Sequence, residues 1–366
     1  MIPNLLLALT LNVLSDSGAL VSDHHPIAKT VLVIGHRGAS ALRPEHTLAS
    51  YGKAIEDGAD FIEPDLVMTR DGALIARHEN EISGTTDVAR HGEFAARRTS
   101  RSIDGHPATG WFTEDFTLAE LKTLRARERL PELRPANAQF DGQFSVPTFD
   151  EIIEFVAAKA RKHGRTIGIY PEIKHSTYFR NIGLPMEDKV LATIRAHRYT
   201  AGGAPLFVQS FETANLRYLR QHLSSSSTNV RLIQLLGEPQ EQPYDTLAVQ
   251  SPLTYADMMR PDGLRAIATY ADAIGPNKFA VIPRLGNRRL GAPTTLVADA
   301  HAQRLLVHPY TFRPENFFLP TDLHAKGGPA MRSEAGAIAE IRAYLAAGID
   351  GFFTDDPAIG RLALRP

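Results

Sequence analysis

Val31-Leu32-Val33-Ile34-Gly35-His36-Arg37-Gly38 decides how this chain is read. A short, β-branched apolar run ends abruptly at His36, as a strand buried on both faces does. A helical pattern, Thr47–Glu56, follows, and then a second apolar run, Phe61–Leu66. The alternation continues along the chain. Further strands are expected at Leu74–Arg77, Ile167–Ile173, Leu206–Gln209, Val230–Leu235, Phe279–Ile282, Arg304–His308 and Gly351–Thr354. Further helices are expected at Phe149–His163, Met186–His197, Glu212–His222, Gly263–Ala273 and Glu334–Ala347. Strands alternating with helices imply a parallel sheet, and about eight such units close into an α/β (β/α)₈ TIM barrel. Nine runs compete for eight places, so one is an accessory strand or no strand.

Residues 79–147 break the rhythm and read as an insertion after the third strand, on the loop face of the barrel. This stretch holds Arg97-Arg98 with Arg101, the single tryptophan (Trp111) and a helix expected near Leu118–Glu128. Its basic cluster could draw in an anionic substrate, but a solvated loop face is the better account of it. The polar tract Ser224–Ser227 reads as a loop. The chain thus divides into residues 1–28, an extension or signal peptide, and a barrel over 29–366.

Composition narrows the function. The chain has 366 residues, 40 Lys+Arg against 41 Asp+Glu, and no cysteine. Disulfide scaffolds, thiolate zinc sites and cysteine nucleophiles are excluded. A net charge of -1 argues against broad nucleic-acid binding. The apolar runs fall short of a membrane span, so no stable membrane insertion is expected. Leu5–Leu14 suits the apolar region of a secretory signal, and Ser17-Gly18-Ala19 offers small residues for cleavage, although no Lys or Arg precedes them. A periplasmic or secreted location is expected, with the cytoplasm as the alternative; no feature specifies an oligomer.

Polar residues gather where the strands end. The first strand delivers His36 and Arg37, the second Glu63 and Asp65, the third His78, the fourth Glu172 and Lys174. In a TIM barrel these ends share one mouth. Residues i and i+2 of a strand face the same side, so Glu63 pairs with Asp65 and Glu172 with Lys174. Buried carboxylates at such spacing need neutralising, and a divalent cation on Glu63, Asp65 and Glu172 would do it. Its ligands would be hard oxygens, favouring Ca²⁺ or Mg²⁺ over Zn²⁺. An unperturbed histidine titrates near neutral pH, so His36 and His78 suit acid–base work. Arg37 and Lys174 suit a phosphate, and Gly38 would let the backbone approach a ligand. Asp23-His24-His25 precedes the first strand without partner motifs and is set aside, and the P-loop and serine-elbow patterns are absent.

Gly35-His36-Arg37-Gly38 with Pro44-Glu45-His46-Thr47 resembles the opening motif of the glycerophosphodiester phosphodiesterases. Glu63-Pro64-Asp65, Asp71-Gly72 and His78 continue the pattern, as do Pro171-Glu172-Ile173-Lys174, His308-Pro309-Tyr310-Thr311-Phe312 and Phe353-Thr354-Asp355. The resemblance runs from about Val31 to the C-terminus and is nearest to the periplasmic bacterial branch. It implies a TIM barrel that hydrolyses glycerophosphodiesters, such as glycerophosphocholine or glycerophosphoethanolamine, to an alcohol and sn-glycerol 3-phosphate. It also implies a divalent metal at Glu63, Asp65 and Glu172, with His36 and His78 as acid and base; His36 is assigned here as the base and His78 as the acid, with the reverse assignment open. Water or the substrate's own glycerol hydroxyl is the nucleophile. Glu45 would orient the site or touch glycerol, or serve only as a helix N-terminal acid. Tyr310 and Phe312 would wall the glycerol or head-group pocket, although aromatic residues at strand ends more often serve plain packing. His46 stands where many members have Asn, and Glu79 where Asp is usual. Two rival readings are a phospholipase D toxin-like barrel acting on intact lipid and a non-catalytic exported binding barrel.

Overall fold

Thirteen strands are described, in chain order. They are β1 Leu32–His36, β2 Phe61–Glu63, β3 Asp65–Met68, β4 Leu74–Ala76, β5 Thr99–Ile103, β6 His106–Gly110 and β7 Gly168–Ile169. After them come β8 Glu172–Ile173, β9 Leu206–Ser210, β10 Val230–Leu236, β11 Ala273–Pro276, β12 Leu306–Val307 and β13 Gly351–Thr354. The computed structural model describes residues 30–224 and 227–365, so the apolar Leu5–Leu14 run and Asp23-His24-His25 lie outside the described residues, as do Ser225 and Ser226. Val31–Pro366 is one compact unit.

The sheet runs β12-β11-β10-β9-β7-β2-β1-β13, with parallel neighbours throughout. It closes where Phe353 N–H donates to Pro309 O at 3.1 Å and Phe312 N–H to Phe353 O at 2.8 Å. The second and third staves are each broken by a proline, which has no N–H for the ladder. β2 passes into β3 at Pro64, and β7 into β8 across Tyr170-Pro171. The register survives the breaks, because Tyr170 N–H donates to Ile62 O and Glu172 N–H to Pro64 O, both at 2.9 Å.

A layer of inward side chains fills the barrel: Ile34, Phe61, Tyr170, Phe207, Ile233, Ala273 and Phe353, with Leu32 and Leu306 beside them. Tyr170 and Phe207 stack at 5.0 Å between ring centroids, and Phe353 meets Tyr170 edge-on at 5.0 Å. Gly168 makes room for this packing, since a Cβ there would sit 2.1 Å from the Phe61 ring. A larger apolar layer lies between the staves and the surrounding helices. The longest of these, Phe149–His163, has a capping box of Thr148 and Glu151 and ends at Gly164 in the left-handed region (φ 62°). Among the described residues no helix is long and apolar enough to cross a membrane.

Three expectations need correction. Leu74–Ala76 is a strand, but it pairs antiparallel with β3 and is no stave of the barrel. The insertion follows this third strand in chain order, yet it springs from the second stave. Phe279–Ile282 is not a strand: Lys278–Val281 forms one helical turn, capped by the Asn277 side chain on Phe279 N–H. The stave of that unit is Ala273–Pro276, where the expected helix would have ended; the observed helix is Pro261–Ile267. Finally, the helix expected to Glu128 stops at Leu121, because the following residues bridge to the insertion's other segments, Ala126 to Thr86 and Arg125 to Ser145.

Candidate active site at the barrel mouth

The period of two along each stave places an inward apolar residue below and a polar residue above it. Ile34 is followed by His36, Phe61 by Glu63 and then Asp65, Tyr170 by Glu172 and then Lys174, Phe207 by Gln209, and Phe353 by Asp355. The polar layer therefore rests on the aromatic plug. His36 pairs in register with Glu63, Asp65 with Glu172, and Glu172 with Gln209.

Glu63, Asp65 and Glu172 each offer an oxygen within 4.8 Å of the others, and all three are buried. Burial first, and then the neighbouring carboxylates, push Glu63 well above the usual carboxylate range and Glu172 up to about 8. Asp65 is held well below that range, because Lys174 and His46 face it and outweigh its burial. Asp65 Oδ1 is buried with no hydrogen-bond partner among the described residues. Three close carboxylates, one with an orphaned oxygen and two resisting ionisation, fit a hard divalent cation. The surrounding groups orient the acids. Arg37 N–H donates to Glu63 Oε2 at 2.7 Å, and the Gln209 amide to Glu63 Oε1 at 3.3 Å. Lys174 Nζ lies 2.8 Å from Glu172 Oε1. His46 Nε2 meets Asp65 Oδ2 at 2.8 Å, and its Nδ1 meets the Tyr51 hydroxyl at 2.9 Å.

Each expected acid–base histidine is held by a carboxylate. His36 Nδ1 donates to Asp355 Oδ1 at 2.6 Å, and Asp355 stays ionised because Arg313, Arg134 and His36 pull it well below the usual range despite burial. Arg134 and Arg313 reach Asp355 Oδ2 at 2.6 and 3.0 Å. Burial, and then Arg37, lower His36 to about 4. His78 Nδ1 donates to Glu79 Oε1 at 2.5 Å. Its pKa falls to about 3, through loss of water and the Arg37 and Lys174 charges. Both imidazoles are thus neutral near pH 7, with Nδ1–H engaged and Nε2 carrying the lone pair.

A match to the family model for the glycerophosphoryl diester phosphodiesterase family covers residues 36–359. The chain belongs to that family. This membership makes it an enzyme of the glycerophosphodiester phosphodiesterase class. It is 39% identical over 298 residues to a glycerophosphodiester phosphodiesterase of Arabidopsis thaliana, covering 78% of this chain and 75% of the relative. It is 28% identical over 351 residues to the Haemophilus influenzae glycerophosphodiester phosphodiesterase, covering 90% and 88%. A solved glycerophosphoryl diester phosphodiesterase structure from Silicibacter pomeroyi superposes with a TM-score of 0.62 at 22% identity, covering 93% of this chain and 94% of that one. That likeness shows the shared fold.

In this family member the insertion reaches back into the mouth. Arg129 Nη2 donates to Glu45 Oε1 and Glu79 Oε2, each at 2.7 Å, while Nε and Nη1 reach the same two residues. Glu45 also accepts from Arg37 at 3.1 Å. Helix Leu48–Glu56 is capped by Thr47 and has no acid in its first turn, so Glu45 belongs to this charge cluster and not to the helix. The Arg97 and Arg101 side chains are spent within the insertion, on Glu120 and on Glu114 with Asp115.

Other placements differ from expectation. Phe312 is buried against Tyr344 and Phe352, at 4.9 and 5.6 Å, in the apolar layer outside the barrel. Tyr310 donates its hydroxyl to Leu236 O at 2.9 Å and packs edge-on against Phe211. Gly38 has φ +93°, and a Cβ there would sit 2.4 Å from Ser50 Oγ. The helix behind it thus already requires glycine at this position. Asp355, Arg129, Arg134, Arg313 and Gln209 were not singled out as site residues from sequence. Asp355 and Gln209 carried a signal, each at the end of an expected strand; the three arginines carried none.

Proposed function

We propose that this protein hydrolyses glycerophosphodiesters to an alcohol and sn-glycerol 3-phosphate, using His36 and His78 at the barrel mouth. One observation carries the reading: two histidines, each oriented by a carboxylate on Nδ1, share a mouth with a buried carboxylate triad and two cations. Arg37 and Lys174 would hold the phosphodiester by its charge. Asp355 fixes the His36 tautomer, so Nε2 takes the proton of the nucleophile as its oxygen bonds to phosphorus. The bond from phosphorus to the head-group oxygen breaks, and His78 gives that oxygen its proton. The substrate's negative charge offsets Arg37 and Lys174, which raises the proton affinity of His78 and suits it to this role. Water as nucleophile gives the products directly; the glycerol hydroxyl would give a cyclic phosphate first.

Glu63, Asp65 and Glu172 would hold a divalent cation, Ca²⁺ or Mg²⁺, whose charge would stabilise phosphoryl oxygens. Release of glycerol 3-phosphate from glycerophosphocholine, followed by a coupled dehydrogenase, tests the reading. Wild type should yield glycerol 3-phosphate and choline in equal amounts, and Glu63→Ala almost none. Phosphocholine and glycerol as products, or no products, would overturn it. We also propose export, supported by Leu5–Leu14 and Ser17-Gly18-Ala19. Fractionation of the native host would show the protein outside the cytoplasm; a wholly cytoplasmic pool with Met1 retained would contradict it.

A further inference from the structure

A cavity of about 410 Å³ opens beside the carboxylate triad, with Glu172 and Lys174 in its lining. Its size suits a small ligand group, and it continues the candidate active site rather than forming a separate one. The other walls come from three places. The tip of the β5–β6 hairpin supplies Asp104, the turn after β9 supplies Phe211 and Glu212, and the segments after β10 supply Glu241, Tyr244 and Tyr255. The hairpin tip meets the post-β10 loop, since a Cβ on Gly105 would lie 3.9 Å from the Tyr244 ring.

Charge is distributed unevenly along this cavity. The inner end carries Lys174, committed to Glu172 at 2.8 Å and suited to the phosphate. Beyond it, Asp104, Glu212 and Glu241 meet no Lys or Arg of the lining. Asp104 Oδ2 accepts from His175 Nδ1 at 2.6 Å, while its Oδ1 is buried without a hydrogen-bond partner among the described residues. Glu212 accepts from Thr177 N–H at 3.0 Å, yet burial and the carboxylates of Asp104 and Asp245 raise it to about 7. The Glu241 side chain makes no hydrogen bond or ion pair among the described residues. The aromatic walls suit the same charge. Phe211 meets Tyr255 edge-to-face at 6.3 Å, and Lys174 Nζ already stands 5.7 Å from the Phe211 ring. Ring faces beside carboxylates that no Lys or Arg neutralises attract alkylammonium groups.

We infer that this cavity is a head-group subsite for a cationic alcohol of the quaternary ammonium class, with Phe211, Tyr255, Glu212 and Glu241 as its specificity-determining residues. The inference rests on the phosphodiesterase reading for the placement of the phosphate. A zwitterionic diester then fits end to end, its phosphate at Lys174 and its ammonium among the acids and rings.

Saturation-transfer NMR on the full chain separates the two claims, because it needs no turnover. Choline should bind wild type, and 3,3-dimethyl-1-butanol, its neutral isostere, should bind about tenfold more weakly or less. Glu241→Gln and Glu212→Gln should each weaken choline and leave the isostere unchanged; Glu241 is exposed, so its variant keeps the test valid if the other misfolds. In turnover, wild type should favour glycerophosphocholine over glycerophosphoglycerol in kcat/KM, and both variants should erase that preference without lowering glycerophosphoglycerol hydrolysis. Equal binding of choline and its isostere, or an unchanged preference in both variants, would overturn the subsite. Choline binding without hydrolysis of either diester would support the subsite and overturn the phosphodiesterase reading alone.

Discussion

Asp355 is the residue on which His36 depends. It is anchored by Arg134 and Arg313, so its carboxylate is ionised and fixed before any substrate arrives. An Asn there keeps the shape but removes the charge that holds the Nδ1 proton. Asp355→Asn should lower kcat by roughly 10²- to 10⁴-fold with little change in KM. Steady-state kinetics on glycerophosphocholine checks this, and an effect confined to KM would assign Asp355 to binding. At this scale the sequence displayed the groups that sit on staves, because a period of two carries them to the mouth: His36, Glu63, Asp65, Glu172 and Lys174. It concealed Arg129 and Arg134. These lie in an insertion without periodicity, and only tertiary folding brings them to Glu45, Glu79 and Asp355.

Among the elements, the insertion is tied to the mouth by one guanidinium fork. Arg129 spans Glu45 and Glu79, and Glu79 in turn positions His78. Lysine cannot reproduce the fork, so Arg129→Lys should reduce kcat/KM by roughly 10- to 100-fold with the fold intact; circular dichroism alongside the assay checks both parts. Helix Phe149–His163 was legible to the residue because its start and stop signals are strong. Thr148→Ala removes half of its capping box and should destabilise the protein by about 1 kcal/mol in urea unfolding. Ala273–Pro276 was illegible for the opposite reason. A four-residue stave with Gly275 and Pro276 has little β signature, while the apolar Phe279–Ile282 imitates one and is a helical turn.

For the molecule as a whole, the closed barrel buries His308 against Tyr170, with Nδ1 2.9 Å from the tyrosine hydroxyl. Loss of water lowers its pKa from 6.5 to about 4. The unfolded chain therefore binds a proton that the folded one refuses between those values. Stability from this group is complete above pH 6.5, falls as the pH drops, and is lost by about pH 4. The full effect is on the order of 3 kcal/mol. His308→Gln should flatten the decline between pH 7 and pH 5 by about one proton, read as the slope of unfolding free energy against pH; an unchanged slope would contradict it. The barrel itself was legible, since strand–helix alternation survives even where single strands are misread.

The central claim is that phosphodiester hydrolysis at this mouth needs a cation on Glu63, Asp65 and Glu172. The direct measurement is glycerol 3-phosphate release from glycerophosphocholine before chelation, after chelation, and after adding back Ca²⁺ or Mg²⁺. The account predicts activity, its loss, and its return with at least one of these ions. Undiminished release by fully chelated protein would contradict it.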